Sequence, residues 1–334
     1  MSNLHEQLRI EIERVLVPLL EGRTRRICII DPPNHPNVGD NAIFLGELDF
    51  IRRKFRDAEV GFFDGNNYTE GCDRFIASSS VLMFHGGGNF GEIWPLHHSF
   101  RLHILNRFSH MPMIQLPQSV SFHRPEAIAE TARAIDKQAD FKLLLRDQRS
   151  LQFAQAHFSC ESLLCPDMAF SMESIRRLPP SVKYLCLLRT DKEVRASHAD
   201  LIRALEQACA SVEVVDWLEP PRSIVSRLDR KLSAAWGKWP VLSGMSQSLA
   251  LALRERYARE RVAFGTNLLS RGACVVTDRL HAHILSCLLG IENLVFDSLD
   301  GKISAFHEAW TSRVSGASIM NSVDQFARIV ANRP

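Results

Sequence analysis

The chain of 334 residues carries 40 Lys and Arg against 38 Asp and Glu, a formal net charge of +2, and is 46% hydrophobic and 23% charged. A chain of this length exceeds one ordinary core, so one large or two medium domains are expected, in the composition range of soluble globular proteins. The balanced charge makes no general case for nucleic acid or an anionic membrane as partner.

The chain opens on a helical pattern, Leu4, Leu8, Ile12, Val15, Leu16 and Leu19, with Glu6, Glu11, Glu13 and Glu21 among its polar residues. An acidic face suits docking on the domain better than lying on anionic lipid. Strand-like runs follow at 26–31, 59–63, 81–84, 112–116 and 141–145, separated by helix-like segments of which 40–55 and 125–137 are the clearest. Cys165 to Phe170 reads as a last short strand. Residues 174–182, with Pro179-Pro180, break both periods and read as a linker. Alternation then resumes: strand 183–188, helix 193–210, strand 212–216, helix 246–261, strand 273–277, helix 279–289 and strand 293–297. Such alternation predicts an α/β fold with parallel sheets in two Rossmann-like domains, 1–173 and 183–334, joined by 174–182. The eight cysteines contain no CxxC pair, so neither a zinc site nor a disulfide framework is expected. With no apolar run of membrane-spanning length and no signal-peptide pattern, a cytoplasmic protein with reduced thiols is expected.

Three strand ends carry chemistry. The run Ala273–Val276 ends in Thr277-Asp278, good helix-capping residues, and Arg279, His281 and His283 follow at the start of the next helix. A cation and an imidazole beside a helix N-terminus make an anion site with an acid or base next to it. In Asn37-Val-Gly-Asp-Asn-Ala-Ile43, Gly39 allows close backbone approach to a ligand, and Asp40 or Asn41 can cap the helix. After the strand at 81–84, the turn His85-Gly86-Gly87-Gly88-Asn89-Phe90-Gly91 offers free N–H groups as an anion-binding nest. It lacks the spacing of a dinucleotide fingerprint or a P-loop. His97-His98 resembles a metal pair, but adjacent side chains diverge and no further ligand completes a set, so no metal is expected.

Taken in order, these junctions resemble the polysaccharide pyruvyltransferases. The resemblance rests on Asn37-x-Gly39-Asp40, the His85–Gly91 turn, Gln115-Leu-Pro-Gln118-Ser119, Arg146-Asp147, Cys165-Pro-Asp167-Met-Ala, Asp278-Arg279-Leu280-His281-Ala282 and Asp297-Ser-x-x-Gly301-Lys302-Ile303. It spans roughly residues 27 to 310. The resemblance implies a two-domain, GT-B-like enzyme that moves the enolpyruvyl unit of phosphoenolpyruvate onto a sugar and closes a cyclic ketal. Phosphoenolpyruvate is then the donor substrate, and no cofactor is required. By resemblance, Arg189 and the Arg279-Leu280-His281 triplet form the donor site; Lys302 reads either as a further phosphate ligand or as a solvated side chain. His281 is the preferred acid/base and Asp40 a second base, while His283 is the alternative, with a packed core histidine as its plain reading. Gly39, Asn41, His85, Gly86, Gly87, Gly88 and Asn89 are expected around the acceptor sugar or the glycine loops.

The segment 220–245 interleaves Arg222, Arg227, Arg230, Lys231 and Lys238 with Trp236 and Trp239. It reads either as a lid contacting a lipid-linked oligosaccharide at the inner face of the membrane, or as a basic hairpin packed by its tryptophans. Two rival functions share the architecture: a nucleotide-sugar-dependent glycosyltransferase, and an inactive sugar-binding member of a polysaccharide assembly complex. The Arg279-Leu-His281 and His85–Asn89 matches count against the first, and the intact Arg189, Arg279 and His281 count against the second.

Overall fold

The computed structural model describes residues 2–189, 198–208, 211–217, 228, 243–297 and 301–331. Two parallel sheets organise it. The first contains β1 (Arg26–Ile30), β2 (Glu59–Phe63), β3 (Val81–Phe84), β4 (Gly87–Gly91), β5 (Pro112–Ser121), β6 (Asp140–Leu145) and β7 (Glu161–Leu164). Its order is β2-β1-β3-β5-β6-β7, with β4 continuing past β3 along the later residues of β5. The second contains β8 (Val182–Leu187), β9 (Val212–Val215), β10 (Gly272–Thr277), β11 (Glu292–Phe296) and β12 (Ala317–Met320), in the order β12-β11-β10-β8-β9. Each sheet reverses its winding beside its first strand, between β1 and β3 and between β8 and β10. In doubly wound sheets the crevice beyond the carboxyl ends at such a reversal is where ligands bind.

Strand alternation sets the layers. Cys28 and Ile30 join one buried cluster with the helices Pro95–Arg107 and Pro125–Asp136, while Ile27 and Ile29 join another on the opposite face. That second cluster is continuous with the inner face of the other sheet through Leu185, Leu187, Val275 and Val295. Between the sheets lie α1 (Ser2–Leu20), α2 (Val38–Lys54), the long helix Ser243–Ser270 and the helix Leu280–Leu289. The outer face of the second sheet packs Tyr184, Cys186, Cys274 and Val276 with Leu201, Leu205, Phe326 and Val330. Sandwiching explains why α2 is buried on almost every side, from Val38 through Ile51 with only Asp40 partly exposed in that span. The opening helix packs as its pattern implies, Leu8, Ile12, Leu16 and Leu20 being buried. No helix among the described residues is long and apolar enough to cross a membrane.

The structure corrects several local readings. The edge strand near Cys165 is Glu161–Leu164, and Met168–Ser171 forms a 3-10 turn instead of extending a strand. Asp167 caps that turn by accepting from the Ala169 N–H, which removes these residues from the ladder. The glycine tract is not an anion nest: Gly87–Gly91 is strand β4, paired with β5, and the Gly86 N–H donates to the Glu47 carboxylate. Neither Asp40 nor Asn41 caps α2; Asn37 does, its side chain accepting from the Gly39 N–H. Residues 172–181 contain no helix or strand. The basic and tryptophan positions singled out between 220 and 240 lie outside the described residues.

Candidate active site

The loop leaving β1 is fixed from behind. Asn41 is fully buried, and its amide donates to the carbonyls of His35 at 3.0 Å and Asn37 at 2.6 Å. The expected acceptor contact at Asn41 is therefore replaced by a structural role, because its donors hold the loop. Two arginines of the helix Ser243–Ser270 grip the same loop: Arg254 donates to the Pro33 carbonyl and Asp64, and Arg261 donates to the Pro36 carbonyl. His35, Pro36, Asn37 and Asp40 are thereby presented to a cavity.

The loop after β10 supplies the opposite wall. Thr277 is not the cap expected there; its hydroxyl donates to the Leu187 carbonyl and accepts from the Arg279 N–H. Asp278 is likewise used between strands, accepting from the Arg189 N–H at 2.7 Å and from His198. Arg279 occupies the cap position of the helix Leu280–Leu289 without a side-chain cap. Its guanidinium lies 3.4 Å from Asp216, while Arg279, Leu280 and His281 all face the cavity.

His281 sits against the backbone of α2. A Cβ built on Gly39 would lie 2.3 Å from both Cγ and Nδ1 of the imidazole. Gly39 thus gives its space to His281 rather than to a ligand, and it does not line the cavity. Asp167 lies behind the imidazole, its Oδ2 3.5 Å from His281 Nε2 and 2.7 Å from Arg146 Nη1. Burial alone would raise the Asp167 pKa, but His281, Arg146 and the Ala169 N–H hold it well below the usual carboxylate range. The turn carrying Asp167 meets α2 at Gly46, where a Cβ would fall 1.8 Å from the Met168 carbonyl. Two glycines on one helix therefore admit the histidine and the turn that carries its carboxylate partner.

His283 is remote from this chemistry. It is completely buried, with Nδ1 2.7 Å from Asn293 Oδ1 and Nε2 2.7 Å from Thr311 Oγ1, and desolvation lowers its pKa to about 4. Its side chain is held in the core, and it does not line the cavity.

On the glycine side, His85 is buried rather than offered to a sugar. Its Nδ1 donates to Glu47, and although burial alone would lower its pKa, that carboxylate raises it. Gly86 and Gly87 also stay out of the cavity, whereas Gly88 and Asn89 line it. The Asn89 carboxamide oxygen accepts from Arg101 at 2.6 Å and Gln118 at 2.9 Å, which leaves its NH2 group for a ligand. Arg101 also lies 3.3 Å from Asp31. Asp31 in turn accepts from His97 Nδ1, which is 2.9 Å from both carboxylate oxygens. His97 and His98 diverge as expected: His97 lines this cavity, and His98 faces Thr131 elsewhere.

The cavity, of about 500 Å³, lies beyond the winding reversals of both sheets and is lined largely by residues that follow their strands. That volume suits a small metabolite with part of a sugar. Arg146, Arg189, Arg279 and Lys302 bring four basic side chains to the wall, against the single carboxylate of Asp40 among the described lining residues. Of the residues anticipated from sequence, Asp40, Gly88, Asn89, Arg189, Arg279, Leu280, His281 and Lys302 converge here. Sequence reasoning missed Arg146, Asp167, Asp31, His97, His35 and Trp217 as parts of the site or its support. Arg146 and Asp167 stood in recognised motifs, but nothing in the sequence pairs one with the other. Arg146 is further fixed by donation to Ser119, and its carbonyl accepts from Trp310 of the second half.

The sequence profile of the family described as polysaccharide pyruvyl transferase matches residues 37–300. The chain is 29% identical over 321 residues to Pyruvyl transferase 1 of Schizosaccharomyces pombe, covering 90% of this chain and 74% of that protein. It is also 29% identical over 329 residues to a Bacillus subtilis protein described as "Putative pyruvyl transferase EpsO", covering 97% and 98% of the two chains. Among solved structures, the uncharacterized Klebsiella pneumoniae protein KP1_0663 shares the fold with a TM-score of 0.62 at 19% identity, over 94% of this chain and 99% of that one. The matched segment begins after β1 and takes in most residues of the cavity wall, from Asn37 to His281: the chain belongs to the polysaccharide pyruvyl transferase family.

Proposed function

We propose that the protein transfers the pyruvyl unit of phosphoenolpyruvate to a sugar of a cell-surface glycan or its precursor, forming a ketal and releasing phosphate. The observation that carries this reading is the concentration of Arg146, Arg189, Arg279 and Lys302 in the cavity wall that also carries His281, at the amino end of a helix. Phosphoenolpyruvate presents a carboxylate and a phosphate close together, and guanidinium forks match both groups. In this reading His281 protonates the methylene carbon while a sugar hydroxyl adds to C2. The cations stabilise phosphate as it leaves, and a second hydroxyl closes the ring on the resulting oxocarbenium carbon. Asp167 orients the imidazole from behind. The two sheets then represent GT-B-like, Rossmann-like domains, 1–173 on the acceptor side and 183–334 on the donor side, joined by 174–182. The reaction is placed in the cytoplasm, where phosphoenolpyruvate is made, with a lipid-linked oligosaccharide as one form the acceptor can take.

The test separates binding from chemistry. Phosphoenolpyruvate should raise the melting temperature of the wild type and of His281→Ala alike, since ligand binding to the native state stabilises it by about 2.7 kcal/mol at a hundredfold excess over Kd. Turnover of the variant should drop by roughly 10²–10⁴-fold. A shift produced by UDP and not by phosphoenolpyruvate would overturn the donor assignment, and a folded His281→Ala enzyme with near wild-type turnover would overturn the role of His281.

A further inference from the structure

A second carboxylate–histidine pair faces the same cavity, and the donor chemistry leaves it unused. Asp31 follows β1 directly and is the one non-glycine among the described residues with positive φ, at 63°. An L-residue held there costs energy and persists only where its surroundings over-determine it, which is why such residues gather at functional sites. Here the surroundings are explicit. The Asp31 N–H donates to the Phe63 carbonyl at 2.7 Å, and the carboxylate, only 3% exposed, meets Arg101 and His97. The twisted backbone aims both carboxylate oxygens at His97 Nδ1. With Nδ1 committed as donor, Nε2 is the nitrogen His97 offers to the cavity, and its side chain is 26% exposed. A histidine whose far nitrogen is tied to a buried carboxylate is the arrangement that turns imidazole into a directed proton acceptor.

Placement separates this pair from the first. His97 shares the cavity wall with Asn89, Trp94 and His35, which come from the half of the chain that forms the first sheet, whereas Arg189, Arg279 and Lys302 come from the half that forms the second. Trp94, half-exposed beside His97, offers a flat apolar face of the kind a sugar ring covers. We infer that His97, held by Asp31, is the general base that takes the protons of the acceptor hydroxyls, while His281 delivers the proton to the donor.

This inference rests on the proposed pyruvyl transfer, and its bookkeeping closes. In the first addition the hydroxyl O–H bond breaks, its proton passes to His97 Nε2, the oxygen bonds to C2, and His281 protonates C3. Cleavage of the C2–O bond then sends the electron pair to phosphate, which takes the proton from His97. The second hydroxyl attacks C2 and returns a proton to His97, and exchange with solvent restores both histidines. Two hydroxyl protons are lost overall, one appearing in the new methyl group and one on phosphate.

The test uses the full chain and the host's own surface polysaccharide, stripped of ketals by mild acid, as acceptor. His97→Gln and Asp31→Asn should keep the melting shift with phosphoenolpyruvate and its KM. The kcat should fall by about 10²–10⁴-fold for His97→Gln and by less for Asp31→Asn. Added imidazole should restore turnover to His97→Ala and not to His281→Ala, a rescue that lost packing alone cannot give. In parallel, ketal pyruvate is measured on polysaccharide from a host lacking the chain and complemented with each variant. Loss with His97→Gln and recovery with the wild type support the pair. Full restoration by His97→Gln, or a raised KM for phosphoenolpyruvate with unchanged kcat, overturns it. Deletion that leaves ketal pyruvate unchanged sinks the pyruvyl-transfer reading itself, and the pair with it.

Discussion

Replacing Gly39 by alanine should disable the enzyme through a residue that touches no substrate. The added methyl would lie 2.3 Å from two atoms of the His281 ring and 2.6 Å from its Cβ, where ordinary contact begins at 3.4 Å. The imidazole must therefore retreat by about 1 Å, and a displacement of that size at a reacting group can cost about 10²-fold in rate. The ring cannot retreat freely, because Asp167 and the buried turn behind it occupy the space. Overpacking of this kind costs about 1–3 kcal/mol of stability, which a protein of this size should survive. Phosphate release would be followed with phosphoenolpyruvate and the acid-stripped polysaccharide, and stability by urea unfolding. The decisive comparison is the pair of variants. Gly39→Ala should slow the wild type by about a hundredfold but change the residual rate of His281→Gly very little, since glycine there removes the Cβ together with the ring. Equal losses in both backgrounds would refute the reasoning, as would a folded Gly39→Ala enzyme with wild-type turnover.

His283 predicts a pH dependence of stability. Its folded pKa is about 4 against 6.5 unfolded, so the unfolded chain binds the proton first. The contribution is full above pH 6.5 and is lost as pH falls toward 4, about 3 kcal/mol in all. Urea unfolding of wild type and His283→Gln across that interval should show the steeper loss in the wild type; parallel curves would contradict it. Arg279→Lys should weaken phosphoenolpyruvate binding by about 1–3 kcal/mol although the charge survives, because the planar fork is lost; calorimetry showing an unchanged Kd would remove Arg279 from the donor site. Arg254→Met should destabilise the fold by about 3–5 kcal/mol, since Asp64 would lose its buried cationic partner. An unchanged urea midpoint would show that Arg254 does not clamp the loop carrying His35.

The strands were legible because most are covered on both faces, so their apolar residues run consecutively, as in Ile27–Ile30 and Val81–Phe84. Chemistry at strand ends was legible for the same reason, since polar residues directly after such runs emerge where parallel sheets bind ligands. What the sequence could not reveal was pairing across the fold. His85 and His97 both follow strands of the glycine region, yet Glu47 draws one into the interior and Asp31 turns the other to the cavity. Neither carboxylate is a neighbour in sequence. Gly39 fits a ligand-facing turn equally well until the imidazole from the far end of the chain is seen resting on it. Thr277 and Asp278 have capping chemistry, but the Leu187 carbonyl of β8 draws the Thr277 hydroxyl proton and the Arg189 N–H after it takes an Asp278 oxygen.

The buried layer between the sheets has a consequence for how the chain comes to exist. The residues of α2 that face Ser243–Ser270 and Leu280–Leu289 are made early, and their cover is made last. A nascent chain ending near residue 180 would present Ile43, Phe44, Phe50 and Ile51 without that part of their packing. The later half alone would likewise lack the cover that α2 gives its inner helices. Halves that each contribute the other's interior are expected to melt together and not to survive dissection. The same continuity resists wide rigid-body opening of the cavity between the sheets.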